Sequence, residues 1–217
     1  MVENARTNLL SPEEHQAVTQ AIRAAERRTS GEVFAVLARA SDDYMFVCGF
    51  FAGAWILLAG LSAAAVAALA GGVRLDGLAL LMTMGLAYAA LLALFAFAPG
   101  LRMWAVPAAV ARRRASAEAA RQFLAHGIAD TRERTGVLVF VSLAERHAEV
   151  VADSAVAALV DDAAWQEAVA ALTRHASEGT LAQGFVEAVG ICGEVLATHF
   201  PPGPEPRGEL DDRLVEL

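Results

Sequence analysis

Lysine is absent from this chain, and all 17 basic residues are arginine. The phosphate loop Gly-x-x-x-x-Gly-Lys is therefore missing. Gly-x-Ser-x-Gly, Gly-x-Gly-x-x-Gly and His-Glu-x-x-His are missing too. These absences remove the usual signatures of nucleotide binding, serine hydrolysis and zinc proteolysis. The two cysteines, Cys48 and Cys192, are too few for a disulfide framework. One lies in an apolar run and the other in a helical pattern, so both read as packing residues. The net charge is −8, with no dense basic stripe, which argues against nucleic acid as a partner. The opening residues Glu3, Asn4 and Arg6 are polar, with no signal-peptide pattern before the first apolar stretch at residue 45.

Charge is also missing from two long runs, Met45 to Ala70 and Gly77 to Ala98. Each exceeds the ~20 apolar residues that cross a hydrocarbon core of ~30 Å as a helix. Between them lies Gly71-Gly72-Val73-Arg74-Leu75-Asp76, a Gly-led turn. The runs raise the hydrophobic content to 56% and the mean hydropathy to +0.44. They predict a two-helix transmembrane hairpin over 44–102, with spans at 45–70 and 77–98, acting as its own insertion signal. Neither span holds Asp, Glu, Arg or His, which favours an anchor over a conduit. Gly49 and Gly53 have the small-xxx-small spacing that lets membrane helices approach closely, within the hairpin or between copies.

The flanks predict one α/β domain split by that hairpin, residues 1–43 and 103–200, followed by a Pro/Gly-rich tail, 201–217. Ser11-Pro12-Glu13-Glu14 opens a helix with a capping box, and Val18, Ile22 and Ala25 follow at helical spacing. Glu32–Ala38 and Val137–Leu143 read as buried strands, and Ala148–Ala152 as a third that forms a hairpin with the second. A helix from about Pro107 to Asp130 lies between the first two strands. Further helices run from Asp161-Asp162 and from about Thr180 to Thr198. Strand, helix-bearing connection, strand is a parallel crossover unit. The expected fold is α/β, a small mixed sheet between helices (an α/β/α sandwich), interrupted by the hairpin.

Arginine sets the expected orientation. Arg102, Arg112, Arg113, Arg114 and Arg121 follow the second span, and Arg23, Arg27, Arg28 and Arg39 precede the first. The turn carries only Arg74. This bias places the domain and both termini in the cytoplasm, on a two-pass protein of a bacterial cytoplasmic membrane. Tyr44 and Trp104 flank the hairpin as interface anchors. Arg102, Arg112, Arg113 and Arg114 are candidates for contact with anionic headgroups, each near-surface Arg contributing about 1 kcal/mol.

Carboxylates are the candidate chemistry. The five histidines are scattered, while Asp42 and Asp43 follow strand one, Glu145 follows strand two and Asp153 ends strand three, whose opposite direction is expected to point it away from the others. Asp161 and Asp162 open the next helix. Clustered oxygen ligands suit Ca²⁺ or Mg²⁺, with Asp42, Asp43 and Asp153 as candidate ligands. Asp43, Glu145 and Asp153 are candidate catalytic groups. Glu32, a charge at the mouth of a buried strand, is placed to pair with Arg28 or Arg134.

The soluble segments resemble the TPM-domain family. The resemblance rests first on Ala25-Glu26-Arg27-Arg28-Thr29-Ser30-Gly31-Glu32-Val33 and on Arg134-Thr135-Gly136-Val137-Leu138-Val139-Phe140-Val141-Ser142-Leu143. It continues through Glu145-Arg146-His147-Ala148-Glu149-Val150-Val151-Ala152-Asp153, Trp165 and Gly184-Phe185-Val186-Glu187-Ala188-Val189-Gly190. It ends with His199-Phe200-Pro201 and Glu209-Leu210-x-Asp212. The membrane-inserted bacterial type is the most similar. The resemblance implies an α/β/α sandwich. It also implies a range of roles: plant members are described as acid phosphatases of thylakoids, an animal member as an auxiliary subunit of a receptor channel, and some members bind calcium. The family ending Asn-Glu-Leu-Pro-Asp is replaced here by Gly208-Glu209-Leu210-Asp211-Asp212. Asp153 and Asp212 match family positions. The preferred expectation is a membrane-anchored accessory or assembly module, with the bilayer and other membrane proteins or itself as partners. The alternatives are a weak divalent-metal-dependent acid phosphatase-like hydrolase and a homo-oligomeric pore.

Overall fold

The computed structural model describes residues 9–70, 76–202, 210 and 213–217. The turn expected at 71–75 with Arg74, the tail residues 203–209, and Asp211 and Asp212 lie outside the described residues. The chain divides into two compact units. One is Met1–Ser41 with Arg112–Leu217, and the other is Asp42–Ala111.

In the first unit, helix α1 (Pro12–Glu26) begins with the expected capping box. Ser11 Oγ accepts from Glu14 N–H, and Glu14 reaches back to Ser11 N–H. Strand β1 is Glu32–Ala38, β2 is Gly136–Ser142 and β3 is His147–Ala152. β1 and β2 run parallel and β2 and β3 antiparallel, so the sheet is mixed. A short strand β4, Val215–Glu216, pairs parallel with β1, giving the order β3-β2-β1-β4. The end of the chain, read as a tail from its sequence, thus supplies an edge of the sheet.

β1 and β2 are buried at every position. That is why they read as unbroken apolar runs without alternation. On one face Val33, Ala35, Leu37, Val137, Val139 and Val141 meet α1, α7 (Gln166–Glu178) and α8 (Leu181–His199). On the other, Phe34, Val36, Ala38, Leu138 and Phe140 meet Ile128 and the Ala119 and Phe123 side chains of α5 (Ala108–Ala125). Helices therefore cover both faces. Cys192 of α8 is fully buried, and burial pushes its thiol up to about 12. In the native protein this thiol will not react with iodoacetamide near pH ~8. Labelling that needs no denaturant would contradict its placement.

The second unit holds α2 (Met45–Ala70), α3 (Gly77–Phe97) and the single turn α4 (Arg102–Ala105). Asp43 Oδ1 accepts from Met45 N–H at the start of α2. Asp76 caps α3 through Leu78 N–H. The two long helices pack side by side through glycine: Gly49 and Gly53 lie against Tyr88, and Gly60 seats Met84. Gly60 makes the closer approach, since a Cβ there would run into Met84 Sδ. At the base Tyr44, Val47, Cys48, Ala52, Phe95, Val106 and Ala111 form a buried cluster. Tyr44 is 2% exposed and left-handed (φ 57°), so it packs inside this cluster and is not available as a surface anchor. Trp104, by contrast, is 91% exposed.

Among the described residues three helices are long and apolar enough to span a membrane by length and composition: α2, α3 and α8. They differ in what covers them. α8 buries Phe185, Val189, Cys192 and Leu196 in the core. α2 and α3 leave Phe46, Leu69 and Phe97 more than four-fifths exposed (82%, 88% and 89%).

Candidate functional site

The carboxyl ends of parallel strands are where open α/β sheets gather their sites. Here those ends bring together Ser41 after β1 and Ser142 and Glu145 after β2. The Glu145 carboxylate is buried and accepts Ser41 N–H at 2.9 Å and a short bond from Ser142 Oγ, while Ser41 Oγ donates to Ser142 Oγ at 2.9 Å. Both Glu145 oxygens are thus engaged in tying the β2–β3 turn to the end of β1. The group holds a loop and does not face a substrate space.

Next to that turn is a cleft of about 500 Å³ lined by Ser142, Leu143, Arg146, His147, Leu172 and Thr173. Arg146 closes the tight β2–β3 turn with φ 50°, and its guanidinium is exposed. His147 begins β3, and its Nε2 lies 2.8 Å from Glu149 Oε2. Ser116 of α5 donates to the same Glu149 oxygen at 2.7 Å and lies 3.4 Å from His147 Nε2. Burial pushes the Glu149 carboxyl up, but the bonds from His147 and Ser116 outweigh it and hold the group below its ordinary value. Serine, histidine and glutamate side by side invite comparison with a nucleophile relay. In a relay the histidine uses one nitrogen for the nucleophile and the other for the acid. Here Nε2 faces both partners and the serine hydroxyl donates directly to the carboxylate, so the cluster is a hydrogen-bonded node. His147 and Glu149 were legible as sharing a face at the strand period of two. Ser116, far away in sequence, was not.

Asp153 stands at the other end of the sheet. Its N–H donates to the Gly136 carbonyl at 2.9 Å, beside the start of β2. Its Oδ1 caps the single turn α6 (Ser154–Ala157), accepting from Ser154 N–H and Oγ. Its Oδ2 is buried and has no hydrogen-bond partner among the described residues. β2 is seven residues long, so Glu145 and Asp153 are separated by about 20 Å at ~3.3 Å per residue. The antiparallel third strand carries its carboxyl end away from those of β1 and β2, the direction that a β2–β3 hairpin implies.

The remaining candidates are also engaged locally. In the second unit Asp42 Oδ1 accepts from Tyr44 N–H, and Asp43 Oδ1 caps α2. Arg102, expected at the membrane surface, donates from Nε to the Phe95 carbonyl (2.8 Å) and from Nη1 to the Asp43 carbonyl (3.0 Å). It satisfies a carbonyl in the last turn of α3, where helices leave acceptors open. Asp161 caps the next turn through Ala163 N–H. Glu32 Oε2 accepts from Leu210 N–H at 3.4 Å, and Arg28 Nη1 lies 3.8 Å from Glu194 Oε1. Arg112, Arg113 and Arg114 are exposed on α5. Among the described residues no group of three or more His, Cys, Asp or Glu is placed to hold a metal ion.

No curated protein matches the chain. Among solved structures, the NMR structure of the BA42 protein from the psychrophilic bacterium Bizionia argentinensis sp. nov. is similar, with a TM-score of 0.59 and 18% identity over 99% of each chain. At that identity the likeness speaks to fold alone. Residues 101–195 match the family model of the TPM domain. The match takes in α5, β2, β3 and α7 and ends within α8, and the parallel ladder joins β1 to this block strand by strand. Over those residues the chain is similar to the TPM-domain family, and they build the mixed α/β sheet together with β1.

Proposed function

We propose that the protein is a membrane-anchored TPM-domain module that serves other membrane proteins as an accessory or assembly element, with its α/β domain in the cytoplasm. One observation carries the reading. Among the described residues every exposed large apolar side chain lies between Phe46 and Trp104, apart from Leu124, Leu159 and Leu217. Leaving a side chain of that size in water forgoes roughly 1.5–3 kcal/mol. Two uncharged helices bare on most of their circumference match a hydrocarbon solvent and do not match water. The arginine bias around them supports the cytoplasmic side.

The domain supports binding better than chemistry. A metal-dependent hydrolase working through Asp43, Glu145 and Asp153 needs two carboxylates within a few Å. Glu145 and Asp153 are at opposite ends of β2, and Asp43 caps a helix.

The expected result is that the full chain stays with the membrane fraction through alkaline carbonate, while a variant with 43–104 replaced by a short linker leaves it. In intact cells an impermeant thiol reagent should modify Gly72→Cys and spare Gly203→Cys. Crosslinking in membranes should recover other membrane proteins. Carbonate extraction of the full chain would sink the anchor. Labelling of Gly203→Cys alone would reverse the orientation, and recovery of lipid alone would remove the accessory role.

A further inference from the structure

β3 is an edge strand, and its register shows which of its backbone groups are open. Asp153 N–H donates to the Gly136 carbonyl, so these two form a hydrogen-bonded pair of the antiparallel ladder. Alternation fixes the others. Leu138–Val151, Phe140–Glu149 and Ser142–His147 exchange hydrogen bonds, whereas Val137–Ala152, Val139–Val150 and Val141–Ala148 do not. The N–H and C=O groups of Ala148, Val150 and Ala152 therefore point away from β2. Among the described residues nothing bonds to them.

Proteins usually blunt such an edge with Pro, Lys, a bulge or a covering element. β3 is six residues long and half-buried throughout, has no Pro or Lys, and pairs with β2 without a bulge. Its polar side chains, His147 and Glu149, are engaged with each other and with Ser116. Along its α7 side lie shallow clefts floored by Ala148 and Val150 and walled by Val169, Ala170, Thr173 and Ala176. These side chains are small enough for another copy's backbone to come close.

We propose that this edge pairs with the same edge of a second copy, β3 to β3 and antiparallel, about a two-fold axis at Val150. The two four-stranded sheets would become one. Charge selects the register. Only outward residues can exchange hydrogen bonds across the new ladder, and centring on Val150 engages Ala148, Val150 and Ala152 together. That register puts Glu149 opposite Val151 of the second copy and His147 opposite its Asp153. The neighbouring register on one side places two Glu149 carboxylates opposite each other. The one on the other side places Glu149 opposite Asp153. Like charges directly opposite destabilise a sheet, and the central register avoids both carboxylate pairs. This inference does not depend on membrane anchoring, because the edge is open either way.

The test uses the full chain in detergent. Light scattering corrected for bound detergent should give a two-copy mass, and the Ala148 and Val150 amides should exchange at least about tenfold more slowly in concentrated than in dilute protein. Val150→Pro removes an outward N–H while leaving the β2 ladder intact, as edge positions allow. It should be a single copy with unchanged far-ultraviolet circular dichroism. Rapid exchange of both amides at every concentration overturns the proposal. So does a Val150→Pro variant as dimeric as the wild type. Protected amides in a single-copy particle also overturn it, since an extended segment from another source would then occupy the edge. If Val150→Pro fails to fold, the wild-type exchange measurement decides alone.

Discussion

Gly136→Ala should lower the stability of the α/β domain by about 3 kcal/mol, toward the upper end of what overpacking a core costs. Gly136 opens β2, and a Cβ there would sit 2.5 Å from Ile128 Cγ2 and 2.6 Å from the Ile128 carbonyl oxygen. A flexible side-chain tip could move aside, but this contact is partly backbone. Ile128 is fully buried in the core on the α5 side of the sheet, held between the left-handed Gly127 and a single turn at Ile128–Asp130. Neither side can give without moving β2 or that turn. Gly190→Ala is the control. It lies on an exposed face of α8, and the added methyl would find nothing within 4 Å, so it should stabilise by about 0.5–1 kcal/mol through helix propensity alone. Urea unfolding of the two variants beside the wild type checks both signs. A Gly136→Ala midpoint equal to the wild type would show that the close approach at Ile128 is absent.

The combined change Leu214→Ala and Glu216→Gln should cost about 4 kcal/mol, from a core truncation of ~2–4 kcal/mol and weakened charge-assisted bonds of ~1–2 kcal/mol. Leu214 is buried against the core face that α1, α7 and α8 cover. Glu216 accepts Leu9 N–H at 2.7 Å and Leu10 N–H at 3.0 Å, and lies 2.8 Å from His15 Nε2. One strand residue therefore fastens the entry to α1, while β4 closes the open side of β1. The two sites are neighbours, so the double change should depart from the sum of the single ones. Acid gives an independent check. Burial pushes the Glu216 carboxyl up, but the backbone bonds from Leu9 and Leu10 and the contact with His15 outweigh it and hold it below its ordinary value. The folded value lies below the unfolded one, so this stabilisation is present above the ordinary carboxylate range and is lost as pH falls through the folded value. Glu216→Gln should flatten that part of the stability–pH curve. A curve of wild-type shape would leave Glu216 without its clamping role.

Much of the fold was legible because its signals are local. The Ser11–Glu14 capping box, the strand Glu32–Ala38 and the helix Met45–Ala70 fall where their residues place them. Each depends on neighbours a few positions away. β4 was not legible. Val215–Glu216 is too short and too mixed to announce a strand, and it becomes one only because β1 offers an unpaired edge. The candidate site suffered in the same way. Asp42, Asp43, Glu145 and Asp153 all stood near strand ends in the sequence, but each local hydrogen bond there is also a cap or a turn.

The sequence by itself determined the class of the domain and the two uncharged helices, because composition, period and capping are properties of contiguous residues. Tertiary structure decided what those residues face. It tied Glu145 to Ser41 and Ser142 at one end of the sheet and Asp153 to Ser154 at the other. It brought Ser116 to His147 and Glu149, and carried Glu216 back to the start of α1. It also covered α8 while leaving α2 and α3 bare, a difference of neighbours and not of length or apolarity. The open backbone of Ala148, Val150 and Ala152 belongs to the same group. Which side of a strand lacks a partner depends on pairing across the sheet, and no window of sequence contains that pairing.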